Sequence, residues 1–371
     1  MSDATVELPR QDAVPSKQVV EKAVSRPRGG GRLYVLDLLR FVAALMVFAY
    51  HTLNAYQWGG ELDRDSLVWY GWLGVQLFFI ISGFVICMSS WGRTLSEFFT
   101  SRAVRLLPAY VVAVLLTSTV LLIWPTPEGS PRSLDVLANL TMLQGFMDLP
   151  NIDPVYWSLL VEVKFYLIFA IVVHAGVTYR RVVLFCAVWL TASLLAQAGK
   201  SDLLTAIVEP RFASYFVAGI ALYLMHRFGP NLLLWGMLGT CWVLCAISLH
   251  GQVALGVSFG EPVRFHVALV IQTLIFVVMI AVALGWLDWI RWSGLTLLGA
   301  LTYPVYLLHV QLGKVTVEQL RDRVPHGLLL AGIAVGILVI SFLIHRLVER
   351  PATPWLRTRL RASFDQVRER H

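Results

Sequence analysis

The sequence is poor in charge and in cysteine. Only 14% of its 371 residues are Asp, Glu, Lys or Arg, whereas a soluble domain carries about 25%. Its four cysteines follow no disulfide or metal-ligand spacing, which predicts apolar packing for all four and no metal site. Hydrophobic residues make up 57% of the chain, and the mean hydropathy is +0.68. These values exclude a soluble globular domain and predict a polytopic membrane protein.

The formal net charge of +7 does not indicate a nucleic-acid partner. The basic residues are scattered between apolar segments and form no single stripe. The bilayer is the partner that explains them, because Lys and Arg concentrate in cytosolic loops. Of the 30 lysines and arginines, 20 fall on the side of the N-terminus, 8 on the other side and 2 within helices. The count predicts that both termini are cytosolic.

Apolar stretches predict an all-α fold with about ten transmembrane helices. Most are long enough, at about 1.5 Å per residue, to cross a hydrocarbon core of about 30 Å. The stretches cover residues 34–55, 67–90, 108–124, 155–175, 182–198, 212–226, 231–249, 265–287, 295–313 and 327–348. The stretch 212–226 is short and the stretch 295–313 contains Pro304, so each could follow a tilted, kinked or re-entrant path.

The remaining segments complete the domain prediction. Residues 1–32 are expected to form a disordered cytosolic tail without a signal peptide. Residues 33–350 form the predicted membrane domain, and 351–371 form a basic cytosolic tail. Residues 91–107 are expected to lie as a short interfacial helix with Phe98 and Leu106 toward lipid. The long loop 125–154 is expected over the outer mouth of a cavity.

Ionisable residues inside the apolar helices are the first candidates for a functional site, because each is costly to insert. The first helix carries Asp37, Arg40 and His51. At 100° per residue, Arg40 and His51 share one face about 16 Å apart, and Asp37 lies one turn from Arg40. The alternative is a structural Asp37–Arg40 pair and a hydrogen-bonding role for His51. We predict instead that these three residues form one polar stripe with a catalytic role.

The fourth helix adds Glu162 and Lys164. Counting residues from the outer end of each helix places Glu162 within a side-chain length of His51. A carboxylate beside an imidazole stabilises the imidazolium, as a general base requires. Lys164 points away from Glu162 and is expected to have a structural partner elsewhere.

Aromatic and small residues mark two further helices. Tyr306 and His309 lie one turn apart on one face of the ninth helix, beside Tyr303 and Pro304. A kinked packing helix is the alternative to a substrate-lining one. In the second helix, Gly71, Gly74 and Ser82 predict a small-residue seam for a neighbouring helix.

The segment LDLLRFVAALMVFAYH (Leu36 to His51) resembles the Arg-x10-His signature of the acyltransferase-3 family of integral membrane O-acyltransferases. Four more segments follow in the order of that family. They are GWLGVQLFFIISGF (71–84), FFTSRAVRLLPAY (98–110), VYWSLLVEVKFY (155–166) and LTYPVYLLHV (301–310). The resemblance covers about residues 33–350, and five motifs in order make it specific.

This resemblance implies that an acyl group, usually acetyl, moves from cytosolic acyl-CoA to a hydroxyl of a carbohydrate such as a surface polysaccharide or glycolipid. The enzyme would lie in the inner membrane of a bacterium and use acyl-CoA as co-substrate without a metal. His51 is implied as the essential catalytic residue, with Arg40 as its motif partner. Asp37 and Glu162 complete the catalytic prediction, and Arg102 and Arg105 are implied to bind CoA phosphates. The predicted substrate-lining residues are Trp157, Ser158, Tyr303, Tyr306 and His309.

Alternatives remain at this level. Some family members carry a serine-hydrolase-like domain after the helices, whereas about 20 residues follow the last helix here, so the membrane domain would complete the transfer itself. Stand-alone members also acylate macrolide-type small molecules. In a different class, the charged stripe would be the proton relay of a transporter or flippase. A non-catalytic membrane partner protein would leave the buried charges unexplained.

Overall fold

The computed structural model describes residues 32–55, 64–127 and 129–369, and this part of the chain is 81% helical without a strand. Residues 1–31, nearly all of the predicted N-terminal tail, lie outside the described residues. The α-helices are α1 Tyr34–Tyr50, α2 Gly74–Ser90, α3 Leu95–Ile123, α4 Ser133–Leu140, α5 Trp157–Ala175, α6 Tyr179–Gly199, α7 Asp202–Val208, α8 Ala213–Phe228, α9 Leu232–Ser258, α10 Phe265–Ala283, α11 Leu295–Leu320, α12 His326–Ile344 and α13 Arg350–Glu369.

Within the described ranges, ten helical segments are long and apolar enough to cross a membrane, which confirms the predicted all-α polytopic class. The segments are Tyr34–Leu53, Leu67–Ser90, Leu95–Ile123, Pro154–Ala175, Tyr179–Gly199, Asp202–Phe228, Leu232–Ser258, Phe265–Ala283, Leu295–Leu320 and His326–Phe364. We call the two ends of the bundle the Tyr34 side and the His51 side, after the first helix. The helix α11 runs on through Pro304, so this stretch is not re-entrant.

The predicted interfacial helix at 91–107 is wrong. Helix α3 starts after a capping box formed by Thr94 and Glu97, and it continues through Pro108 to Ile123. Phe98 and Leu106 are buried inside the protein instead of facing lipid. Proline lacks only one helical N–H, and the packing of this long helix compensates for that loss. The predicted segments 91–107 and 108–124 therefore fall largely on one helix, α3, which borders the protein interior.

Small residues allow the central helices to pack closely. A Cβ on Gly71 or Gly74 would overlap backbone carbonyls of α1, which confirms that part of the seam. Ser82 does not belong to it, because its side chain turns toward α5. A second close approach joins Gly83 on α2 to Gly219 on α8, where each added Cβ would overlap a carbonyl oxygen of the other helix.

Replacing Gly83 by alanine is expected to lower the free energy of unfolding by about 1–3 kcal/mol, because α2 and α8 must move apart. Gly239→Ala on α9 is the matched control, because its Cβ meets open space. Thermal unfolding of the two purified variants in detergent checks the difference. Equal melting temperatures for Gly83→Ala and the wild type would contradict this packing.

The loop before α5, expected over the outer mouth of a cavity, contributes no residue to the lining of the cavity described below. Its helix α4 packs against α3, and Phe146 lies 5.4 Å from the Nζ of Lys164. Lys164 also pairs with Glu209 at 2.5 Å, which confirms that its partner is away from Glu162. The buried side chain of Asn139 closes the loop by bonding the backbone of Pro150 and Ile152.

Candidate active site

A cavity lies between α1, α2, α3, α5 and α11. With the open space at its mouth it measures about 740 Å³. Along α2 it extends from Val75 to Ile86, which is about 16 Å of helix. Arg105 is the one exposed lining residue and marks the mouth toward the Tyr34 side. The polar and charged lining residues are Arg40, Ser82, Arg105, Ser158, Glu162, Tyr166, Thr302, Tyr303 and Tyr306.

Glu162 is held by two hydroxyl donors within this cavity. Ser82 Oγ and Tyr166 Oη each donate to Glu162 Oε1 at 2.6 Å. These bonds fix the carboxylate on the wall formed by α2 and α5. Sequence reasoning missed Tyr166, although its spacing of four residues from Glu162 places both on one helical face.

Arg40 lines the cavity from α1, and Asp37 supports it from behind. The guanidinium Nη1 lies 3.7 Å from Asp37 Oδ1, and both side chains are largely buried. Asp37 itself is not among the lining residues, because it packs against Gly299 of α11. Only Arg40 of this pair is therefore placed to meet a molecule in the cavity.

The two arginines of the Arg-x-x-Arg pair lie in different environments. Arg102 is 7% exposed, and its Nη2 donates to Ser89 Oγ at 2.5 Å. Its guanidinium lies 5.7 Å from the ring of Phe98 and 5.9 Å from the ring of Tyr166. Such cation–π contacts stabilise a buried cation in place. Arg105 stands at the mouth, so it alone of the pair is accessible to a phosphate.

His51 does not line the cavity, and it lies past the end that Phe78 and Tyr306 line, since its ring neighbour His309 is itself a ring neighbour of Tyr306. It begins a π-helical turn, His51–Ala55, a rare geometry that is often found at functional sites. Its ring centroid lies 4.9 Å from that of Tyr50 and 5.3 Å from that of His309. Among the described residues, the phenol of Tyr50 and the imidazole of His309 are therefore both ionisable ring neighbours of His51.

The predicted approach of Glu162 to His51 is wrong. Ser158, four residues before Glu162, contacts Tyr306, and Tyr306 is itself one turn from His309. Glu162 therefore lies about two turns, or about 10 Å, from the level of the histidines. Counting residues from the helix ends does not capture this offset, because contacts between helices depend on how the helices pack.

Tyr306 separates the cavity from the histidine pair. Ser158 Oγ gives its proton to the carbonyl of Val155 at 2.9 Å, so the phenol of Tyr306 donates to Ser158 Oγ at 2.6 Å. The carbonyl of Tyr306 accepts from Nδ1 of His309 at 2.8 Å, which fixes the tautomer of that imidazole. Trp157 does not line the cavity, and its ring packs against Phe212 and the lining residue Phe79.

Of the two remaining residues predicted to line the substrate site, Tyr303 lines the cavity and His309 does not. Tyr303 lines the cavity, and its hydroxyl donates to the carbonyl of Leu106 at 3.3 Å. His309 is buried, 1% exposed, and is not a lining residue. The arrangement offers a cation at the mouth, a charged middle and an imidazole pair past the end, which suits acid–base chemistry on an elongated anionic substrate.

Comparison with known proteins supplies the identity of this fold. The acyltransferase-3 family model, described as an acyltransferase domain, matches residues 33–346. The acyltransferase MdmB of Streptomyces mycarofaciens is 26% identical over 366 residues, which cover 86% of this chain and 91% of MdmB. The O-acetyltransferase OatA of Staphylococcus aureus (strain NCTC 8325) is 33% identical over 156 residues, or 37% of this chain.

The chain spans about a quarter of the length of the OatA proteins that it matches, 24% of each. No solved structure matches it significantly. The match to the family model, however, covers most of the chain and the whole set of helices that build the cavity. The chain therefore belongs to the acyltransferase-3 family.

Proposed function

We propose that this protein transfers an acetyl group from acyl-CoA to a hydroxyl of a carbohydrate, such as a cell-surface polysaccharide or glycolipid. The observation that carries the proposal is the polarity of the cavity along its length. A cation stands at the open mouth, and an imidazole pair stands past the closed end. A long donor with phosphates at one end and a thioester at the other matches that order.

The donor enters at Arg105. Its guanidinium makes charge-assisted contacts with CoA phosphates, for which arginine geometry is well suited. The pantetheine arm then lies along the 16 Å of α2 that line the cavity, past Arg40 and Glu162. Arg102 has a different task, since it holds Tyr166 and Phe98 from a buried position.

His51 acts as the general base. Once the side chain of Tyr306 has moved out of the path between the cavity and His51, the imidazole takes the proton of the acceptor hydroxyl while that oxygen attacks the thioester carbonyl carbon. The tetrahedral intermediate collapses with cleavage of the carbon–sulfur bond, and the imidazolium returns the proton to the CoA thiolate. Arg40 stabilises negative charge that develops on the donor. This sequence of steps needs no acyl-enzyme.

The charge count supports a cytosolic position for the cavity mouth. The Tyr34 side is the side on which 20 of the 30 lysines and arginines fall, and such loops stay cytosolic. Cytosolic acyl-CoA then reaches Arg105 directly, in the inner membrane of a bacterium. The histidine pair faces the opposite leaflet, where the acceptor is met.

Arg105→Ala is expected to raise KM for acetyl-CoA about tenfold or more with a smaller change in kcat, because a charge-assisted phosphate contact is lost. Arg180→Ala, an exposed arginine at the start of α6, is the matched control and should leave KM unchanged. Steady-state kinetics of reconstituted protein measure both. Equal KM values for Arg105→Ala and Arg180→Ala would contradict the donor site.

The proposed function is tested by incubating reconstituted protein with labelled acetyl-CoA and a panel of acceptors. Polysaccharide and glycolipid fragments are expected to become acetylated, with one CoA thiol released for each ester. Acetylation of macrolide-type molecules alone would replace the carbohydrate acceptor. Absence of both CoA binding and thioester consumption would overturn the enzyme proposal in favour of a transporter.

A further inference from the structure

A buried carboxylate outside the predicted site joins the two segments that close the cavity. Asp153 precedes the short 3-10 turn Pro154–Tyr156 that leads into α5, and it is 0% exposed. Its Oδ1 accepts from the backbone N–H of Val155 at 3.1 Å. Its Oδ2 accepts from the backbone N–H of Gln311 on α11 at 3.0 Å. One carboxylate thus connects the start of α5 to α11.

The chemistry of this link is specific to aspartate. Burying a carboxylate is costly unless its oxygens are hydrogen-bonded, and here each oxygen has its own backbone donor. Burial raises the pKa of Asp153 to about 7, and the two N–H donors act against that rise. Asparagine keeps one acceptor and turns an N–H₂ toward the other donor. Glutamate adds a methylene in a space with no exposed surface.

The link lies at the level of the groups that separate the cavity from His51. Val155, one of its two partners, also offers its carbonyl to Ser158, which accepts from Tyr306. Gln311, the other partner, lies two residues after His309 on α11. The ring of Tyr306 meets Phe78 at 5.6 Å between centroids, which completes the closed end. The spacing of α5 and α11 therefore fixes both the closed end and the position of His309.

We infer that Asp153 is a positioning residue, which sets the separation of α5 and α11 so that Tyr306 closes the donor cavity and His309 stays beside His51. Its effect on catalysis rests on the proposed function. Its effect on the closed end of the cavity is independent of any substrate, so the two can be measured separately.

The catalytic arm compares Asp153→Asn and Asp153→Ala with Asp148→Asn, an exposed aspartate of the same loop. The Asp153 variants are expected to lower kcat about 10- to 100-fold, since small displacements of reacting groups have effects of that size. KM for acetyl-CoA stays unchanged, because Arg105 lies at the far end of the cavity. Asp153→Glu is expected not to restore kcat.

The second arm uses a thiol reporter inside the cavity. Thr302, the site of the Thr302→Cys substitution, lines the cavity, whereas none of the four buried native cysteines is a lining residue. In sealed vesicles, a membrane-impermeant methanethiosulfonate added on the Tyr34 side is expected to label this cysteine. Labelling from the His51 side is slow, and Asp153→Ala is expected to accelerate it about tenfold or more, because reactivity follows access. Asp148→Asn leaves it slow.

The outcomes separate the two proposals. Unchanged labelling and unchanged kcat in a folded Asp153→Ala or Asp153→Asn protein would overturn the positioning role. Faster labelling in a protein whose wild type transfers no acyl group would retain the positioning role and overturn the proposed function. If Asp153→Ala fails to fold, the labelling and kcat of Asp153→Asn test the positioning role, because asparagine keeps one of the two hydrogen bonds.

Discussion

Replacing His51 by alanine is expected to lower kcat for acyl transfer by a factor of about 10²–10⁴, the range that a general base contributes. In the proposed mechanism this imidazole, which begins a π-helical turn and contacts His309, acts at the end of the donor path. Binding of acetyl-CoA should persist, because Arg105 and the cavity are untouched. Single-turnover transfer and equilibrium binding measured on the same preparation test both statements.

His250→Ala is the matched control for this variant. His250 is exposed on α9 and touches Phe265 rather than the cavity. It should transfer acyl groups at the rate of the wild type. His309→Gln is expected to have a smaller effect than His51→Ala, since it acts through its contact with His51. A larger loss of kcat in His309→Gln than in His51→Ala would indicate that His309 is the general base.

Arg40→Gln is expected to lower kcat by a factor of about 10²–10³, as loss of a group that stabilises transition-state charge does. Glutamine keeps a polar side chain on the cavity wall but removes the cation. Asp37→Asn should lower kcat less, because Asp37 touches Arg40 and not the cavity. Kinetics of the two single variants, with melting temperatures as a check on folding, give the comparison.

The double variant Asp37→Asn and Arg40→Gln controls for the loss of this one ion pair. Losing one member of a buried ion pair destabilises a protein more than losing both. The double variant should therefore fold better than Arg40→Gln while remaining as slow. Recovery of kcat in the double variant would show that Arg40 serves folding and not the reaction.

The sequence predicts the membrane fold well because hydropathy measures one property that every spanning helix shares. Ten spans, the Asp37–Arg40 pair and the separate partner of Lys164 all follow from spacing along single helices. The same measure misplaces Phe98 and Leu106, since a side chain packed in the interior and one in lipid are equally apolar. Hydropathy therefore gives the helices without saying which face is inside.

Relations between helices required the structure. Glu162 contacts Ser82 and His51 contacts His309, and which of these groups meet depends on helix packing that no count along one helix reveals. Arg102 and Arg105 look alike in sequence, yet one is buried among rings and the other stands at the mouth. Asp153 carries no helical pattern at all, because its role depends on two backbone groups of different segments.

Supplying acetyl-CoA to only one face of sealed vesicles tests the central claim most directly. The protein is reconstituted in known orientation, the acceptor is present on both sides, and labelled ester is counted. The account predicts transfer when the donor is given on the Tyr34 side, where Arg105 marks the mouth, and none when it is given on the His51 side. Transfer from the His51 side alone, or at equal rates from both, would contradict it.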